Sequence, residues 1–288
     1  MCPPRLVLLA VVLLLAAGCG TNRHSAATTT VARKAAPAPV TGLRIGIVGG
    51  LLVPQVFGAV YERGPLAQVA DDPLVLVRAG TPAAAHLAEA AAAHPSTHFA
   101  LVGGSTPDTR LKNVAGLVVA DDQAARLAGI VAGVVASDEG VEQPRVGWAG
   151  PEQPALAAAF GRGVHAVDER AQILHAWSAK VPSACKEAAL AVVGRGAVAV
   201  LAPHDTCADA AVAGAHEQNV VGLTLDQFEL LQVPAAQVVR DAVSGVYHGG
   251  EDIVFGARSG AIGIRALDPR ITPAQAIRAR TLSSQLAG

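Results

Sequence analysis

The feature that most constrains this 288-residue chain is an alternation: a short unbroken apolar run closed by glycine or a polar turn, then a helix-length segment. Residues 98–136 show it best. An apolar run at 99–102 stops at Gly103-Gly104, a second run fills 114–119, and Asp121-Asp122 opens an Ala- and Gly-rich helix. Unbroken apolar runs suit strands covered on both faces, and hence a parallel sheet flanked by helices. Ligands of such sheets sit on the loops that leave the carboxyl ends of the strands. Acids at the start of a helix suit its unpaired N–H groups and dipole, so Asp121 and Asp122 either cap the helix or reach a polar ligand.

The same alternation runs along the chain. Strands are expected at 43–48, 74–77, 145–148, 171–177, 197–201 and 220–225, with helices at 51–62, 81–93, 154–167, 183–193, up to 218, and 235–247. Two short strands, 252–255 and 261–264, precede a last helix capped at Thr272-Pro273. A polar break near Val141 separates two βαβα runs, which predicts two α/β lobes. The first takes 42–142 with about 235–250, and the second 143–234 with about 251–288.

Ahead of these runs lies a targeting segment. Arg5, the apolar residues 6–17 and the small residues before Cys19 form a signal sequence too short to be a transmembrane helix. The sequence LLLAAGC resembles a bacterial lipobox, with Cys19 as the lipidated residue; the alternative is an ordinary cleaved secretory signal. Residues 20–41, rich in Thr, Ala and Pro, read as a flexible tether to the membrane. Removing Cys2 with the signal and assigning Cys19 to lipid leaves Cys185 and Cys207. In an exported chain such a pair points to a disulfide rather than to a metal or catalytic site. His204 lies near in sequence, but no zinc-ligand spacing is completed.

A net charge of -1 and 3% aromatic residues offer neither the basic surface nor the stacking platforms of a nucleic-acid binder. No acid–base, metal or nucleophile set is complete, so neither an enzyme nor a cofactor is expected.

Residues 113–129, NVAGLVVADDQAARLAG, resemble the signature of the basic membrane protein family of lipoproteins. The likeness continues through RVGWAG (145–150), AFGRGVHAV (159–167), VVGLTLDQ (220–227) and SGAIGI (259–264). Members are substrate-binding components of ABC transporters for purine nucleosides. Their fold is the type I periplasmic-binding-protein α/β fold, two Rossmann-like lobes joined by hinge crossovers. The resemblance therefore implies a small, nucleoside-like ligand held between lobes, an ABC permease as partner, and a lipid-anchored place on the outer face of the cell membrane. A surface-tethered sensor or interaction module that kept the fold but lost the transport ligand is the other reading.

The resemblance and the strand-exit rule together select Phe57, Asp122, Trp148, Asp205, Thr224 and Asp226 as ligand residues. Phe57 is the aromatic kept from the family's polar segment after the first strand, and Thr224 stands where the family has its ribose-binding Asp. Four of them also have a plainer use: core packing for Phe57 and Trp148, helix or turn capping for Asp122 and Asp226. Trp177, which ends a strand as Trp148 does, is open to both the platform and the burial reading. Gly49-Gly50 and Gly103-Gly104 serve either as anion cradles or as tight strand exits.

Overall fold

A computed structural model describes residues 41–204 and 206–286. The signal segment, Cys19, all of the tether but Thr41, and Asp205 lie outside the described residues.

In chain order the elements are β1 (Leu43–Val48), β2 (Ala59–Arg63), α1 (Leu66–Val69), β3 (Leu74–Arg78), α2 (Pro82–Ala85), α3 (Leu87–Ala93), β4 (His98–Val102) and β5 (Val114–Val119). Then follow α4 (Asp121–Ser137), β6 (Arg145–Gly150), α5 (Pro154–His165), β7 (Gln172–Trp177), α6 (Pro182–Gly194), β8 (Ala197–Ala202), α7 (Thr206–Glu217) and β9 (Val221–Thr224). The chain ends with α8 (Gln232–Val243), β10 (Asp252–Phe255) and α9 (Pro273–Leu286).

The strands form two sheets, ordered β10-β5-β4-β3-β1-β2 and β7-β6-β8-β9, and every ladder within them is parallel. The central strands are apolar throughout because helices cover both faces: Val75, Leu76, Phe99, Ala100, Ala115 and Leu117 have no exposed surface. Asn113 of the NVAGL motif has a structural use. Its side-chain amide reaches the carbonyls of Ala91, His94 and Thr97 at 3.0, 3.2 and 3.0 Å, fixing the turn into β5.

Four expectations are corrected. No helix forms at 51–62. Pro54 interrupts it, Gly58 takes a positive φ of 88°, and the β-prone Val60-Tyr61 enter β2 beside β1. Tyr61 Oη donates to Pro54 O at 2.9 Å, and Arg63 Nη1 to Leu51 O at 2.8 Å, so this connection is laced back onto β2. The helix expected at 81–93 is interrupted at His86 into α2 and α3. β10, assigned from sequence to the second lobe, pairs with β5 and completes the first sheet. α4, assigned to the first lobe, packs in the core of the second with Val146, Trp148, Phe160 and Leu201.

Glycines explain that last placement. A Cβ on Gly129 would stand 2.1 Å from Phe160 O, and one on Gly163 only 2.0 Å from Arg126 O, so α4 and α5 touch backbone to backbone. With α4 in the second lobe, the first crossover falls at Ala120, between β5 and α4. Two more follow, one from β9 into α8 and one from β10 toward α9. These segments are bonded to each other: Leu230 N to Ala261 O at 2.8 Å, Gly263 N to Phe228 O at 2.9 Å, Arg265 N to Gln227 O at 3.0 Å, and Ala120 N to Phe255 O at 2.9 Å. Ile262, expected in a strand, makes a single antiparallel bridge with Glu229 in this knot.

On the outer side of the second lobe, Cys185 of α6 and Cys207 of α7 form a disulfide with Cα atoms 5.3 Å apart. Among the described residues no helix is long and apolar enough to cross a membrane.

Candidate ligand cleft

Strand exits from both lobes meet at one cavity of about 230 Å³. The first lobe contributes Gly50, Leu51 and Leu52 after β1 and Arg78 at the end of β3; the crossovers contribute Asp226, Glu229, Leu231, Gln232 and Arg265. Gly49 and Gly50 have φ of 85° and 71°, the conformation that turns the chain sharply out of β1 and brings Leu51 to the cavity wall. A larger hollow of about 790 Å³ lies where α4, the exit of β10 into the third crossover, and α9 meet.

Bonded to two of the wall residues, Asp226 and Glu229, is His204 on the loop after β8. Its Nδ1 lies 3.1 Å from Asp226 Oδ1 and its Nε2 lies 2.6 Å from Glu229 Oε1. Asp121, at the start of α4, completes a cluster in which one ligand atom each of Asp121, His204 and Glu229 lies within 4.8 Å of the others. Burial of the ring opposes its charging, but the hydrogen bonds and charges of Asp226 and Glu229 outweigh this and raise the His204 pKa to about 10. Desolvation pushes Glu229 up against the opposing pull of His204, and it pushes Asp121 up in the same way. Asp226 is held below the usual carboxylate range by its hydrogen bond to His204, with help from the charges of His204 and Arg78. Arg78 is the one of these groups that belongs to the first sheet, so the electrostatic coupling spans both lobes.

The residues selected from sequence distribute unevenly about this cleft. Asp226 lines it. Thr224 stands beneath as the cap of a short 3-10 turn at Leu225–Gln227, with its backbone N–H donating to Gln227 Oε1 at 3.3 Å, and so it positions Asp226. Asp122 is exposed on the first turn of α4, one residue from Asp121. Two selections are corrected by burial. Trp148 is fully enclosed in the second lobe, edge-on to Phe160 and Trp177 at ring distances of 6.2 and 6.4 Å, and cannot serve as a cleft platform. Phe57 is 91% exposed on the β1–β2 connection, neither core nor cavity wall.

His204, Glu229, Arg78 and Arg265 were not selected. Each follows a strand or sits in a crossover. The signal available for His204 was its place right after an apolar strand, one residue before the selected Asp205. Glu229 carried no local signal, because its role arises from the pairing of two crossovers distant in sequence.

No family model matches the sequence, and no curated protein does. Solved structures are similar. One is the ABC transporter system solute-binding protein from Conexibacter woesei, at 19% identity and a TM-score of 0.60, with 85% of this chain and 96% of that one covered. A second is an ABC transporter system solute-binding protein from Aeropyrum pernix, at 15% and 0.51, covering 84% and 85%. A third is a transcriptional activator of the comK gene from Bacillus halodurans, at 13% and 0.62, covering 85% and 98%. At these identities the likeness is one of fold, the mixed α/β periplasmic-binding-protein type I architecture with parallel sheets.

Proposed function

We propose that this chain is an extracytoplasmic solute-binding protein, tethered to the membrane through lipid on Cys19, which delivers a small polar solute to an ABC permease. The observation that carries the reading is a cavity bordered by Arg78 of one lobe and by Asp226 and Glu229 of the crossovers. Two lobes joined by crossovers bind by closing, and a solute that contacts both sides selects the closed state. The lipobox-like LLLAAGC and the shared fold of two solute-binding proteins support the same role.

The cavity wall contains no aromatic residue and mixes cationic with anionic groups. Its volume of about 230 Å³ is below the 300–1,000 Å³ usual for drug-sized ligands. The solute that fits is small, polar and non-aromatic, which sets this chain apart from the nucleoside binders it resembles in sequence motifs. The hydrogen-bond partners of His204 are carboxylates, an arrangement for charge pairing rather than for activating a nucleophile, so we propose no enzymatic role.

A second reading, a tethered sensor that binds no transport solute, is favoured by one observation: the strongest polar groups of the cleft already satisfy one another. A thermal-shift screen of amino acids, small sugars, polyamines and nucleosides separates the two. A saturable rise in melting temperature with one class of small polar solute supports transport. No shift with any class supports the sensor.

A further inference from the structure

From the convergence of Asp121, His204 and Glu229, with Asp226 behind the ring, we infer that this cluster, adjoining the cleft wall at Asp226 and Glu229, is a binding site for a divalent transition-metal cation. The inference rests on the cleft being a binding site, but not on which organic solute, if any, enters it.

Three carboxylates from two stretches of chain surround one imidazole. Asp121 opens α4, while Asp226, in the middle of the turn after β9, and Glu229, three residues on, both belong to the second crossover. The Glu229 side chain is only 6% exposed. Arg78 and Arg265 line the cavity, yet among the described residues neither forms an ion pair with any of these acids. Carboxylates gathered around one imidazole are a donor set that a divalent cation can share.

The two faces of the ring have different jobs. His204 Nδ1 points to Asp226 at 3.1 Å, while Nε2 points to Glu229 at 2.6 Å. A metal-ligating histidine characteristically donates its other N–H to a carboxylate, which fixes the ring and its tautomer. Asp226 is therefore a positioning residue, and Nε2, Glu229 and Asp121 supply the ligand atoms. On binding, the proton at Nε2 leaves to solvent and the cation takes its place. Ligand atoms around a tetrahedral zinc are roughly 3.3 Å apart, given bonds of about 2.0–2.1 Å. One atom each of Asp121, His204 and Glu229 lies within 4.8 Å of the others, a separation close to that spacing. One imidazole with carboxylates suits Zn²⁺ or Mn²⁺ rather than a soft thiolate-seeking ion, and too few oxygens are present for Ca²⁺.

The test is isothermal titration of the chelator-treated full chain with Zn²⁺, with Ca²⁺ as control, on wild type, His204→Ala, Glu229→Gln and Asp226→Asn. The expected result is uptake of one zinc ion per chain, lost in His204→Ala and Glu229→Gln and weakened about 10- to 100-fold in Asp226→Asn. Circular dichroism checks that each variant is folded. Should either truncating variant unfold, Asp121→Asn decides in its place, and unchanged zinc affinity there overturns the inference. It is also overturned if wild type takes up no zinc, or if folded His204→Ala and Glu229→Gln bind as wild type does. Running the solute screen both with chelator and with zinc keeps the two questions apart: a solute shift in chelator upholds the solute reading whatever the metal result.

Discussion

Replacing Gly163 by Ala tests the contact that carries α4 into the second lobe. In a helix the change alone is favourable by about 1 kcal/mol, since alanine loses less backbone entropy. At Gly163, however, the new methyl would stand 2.0 Å from Arg126 O and 2.9 Å from the Cα of Gly129. The obstacle is backbone, so no side-chain rotation relieves it. The helices have to part by roughly 1 Å, and a gap of that size forfeits about a quarter to a half of each dispersion contact along the seam. Overpacking a well-filled core costs about 1–3 kcal/mol, and a rigid carbonyl puts this site at the upper end. After the propensity gain, a net loss of about 2 kcal/mol remains, equivalent to a fall in melting temperature of about 4–8 °C. Gly194 is the matched control: it ends α6, is exposed, and a Cβ there meets nothing within 4 Å. Gly194→Ala should leave stability unchanged or raise it by up to about 1 kcal/mol. Urea unfolding followed by tryptophan fluorescence reads both variants, because Trp148 is buried against Phe160 of α5. A Gly163→Ala protein within about 0.5 kcal/mol of wild type, the usual range for a neutral surface change, would refute the reasoning.

Asp268 should make the protein acid-sensitive. Its side chain is 1% exposed and accepts hydrogen bonds from Gly222 N at 2.7 Å, Arg270 N at 2.9 Å and His216 Nε2 at 2.6 Å. Desolvation works against ionisation, but these donors outweigh it and lower the pKa. A depressed pKa in the folded state adds stability above the unfolded value, which is lost as pH falls through about 4 and below. Asp268→Asn should therefore lose about 1.5–3 kcal/mol at neutral pH and show a flatter decline in acid; equal slopes for both proteins in pH-dependent melts would contradict this. Cys185 and Cys207 are 22 residues apart, a loop for which the chain-entropy model gives about 3 kcal/mol of stabilisation. The unfolded, non-reduced protein should show neither thiol in a titration, and reduction should lower the urea midpoint; free thiols or an unmoved midpoint would count against the bond.

The sheets were legible because a strand buried on both faces has to be apolar along its length. Runs such as HFALV and AVAVLA leave no other periodicity to weigh. Helix membership was less legible. Nothing near Asp121 states that α4 crosses to the other lobe. The cause is Gly129 meeting Gly163, a fit between distant segments that only packing reveals. β10 was misplaced for a related reason, since a four-residue strand pairs with whichever edge its crossover delivers it to. At the cleft, Asp226 was found from its strand-exit position, whereas Trp148 shared that position and is buried. The rule locates a loop but does not say which way a side chain turns. Glu229 required knowing that two crossovers lie side by side, which the bridge between Glu229 and Ile262 establishes.

The most direct measurement is the calorimetric affinity of the solute that raises the melting temperature, in wild type, in Arg78→Ala from the first lobe, and in Asp226→Ala from the crossover of the second. A solute gripped from both sides loses a charged hydrogen bond in either variant, so each should weaken binding by about tenfold or more. Wild-type affinity in Arg78→Ala would mean that the first lobe takes no part, and the closing cleft would be the wrong description of this protein.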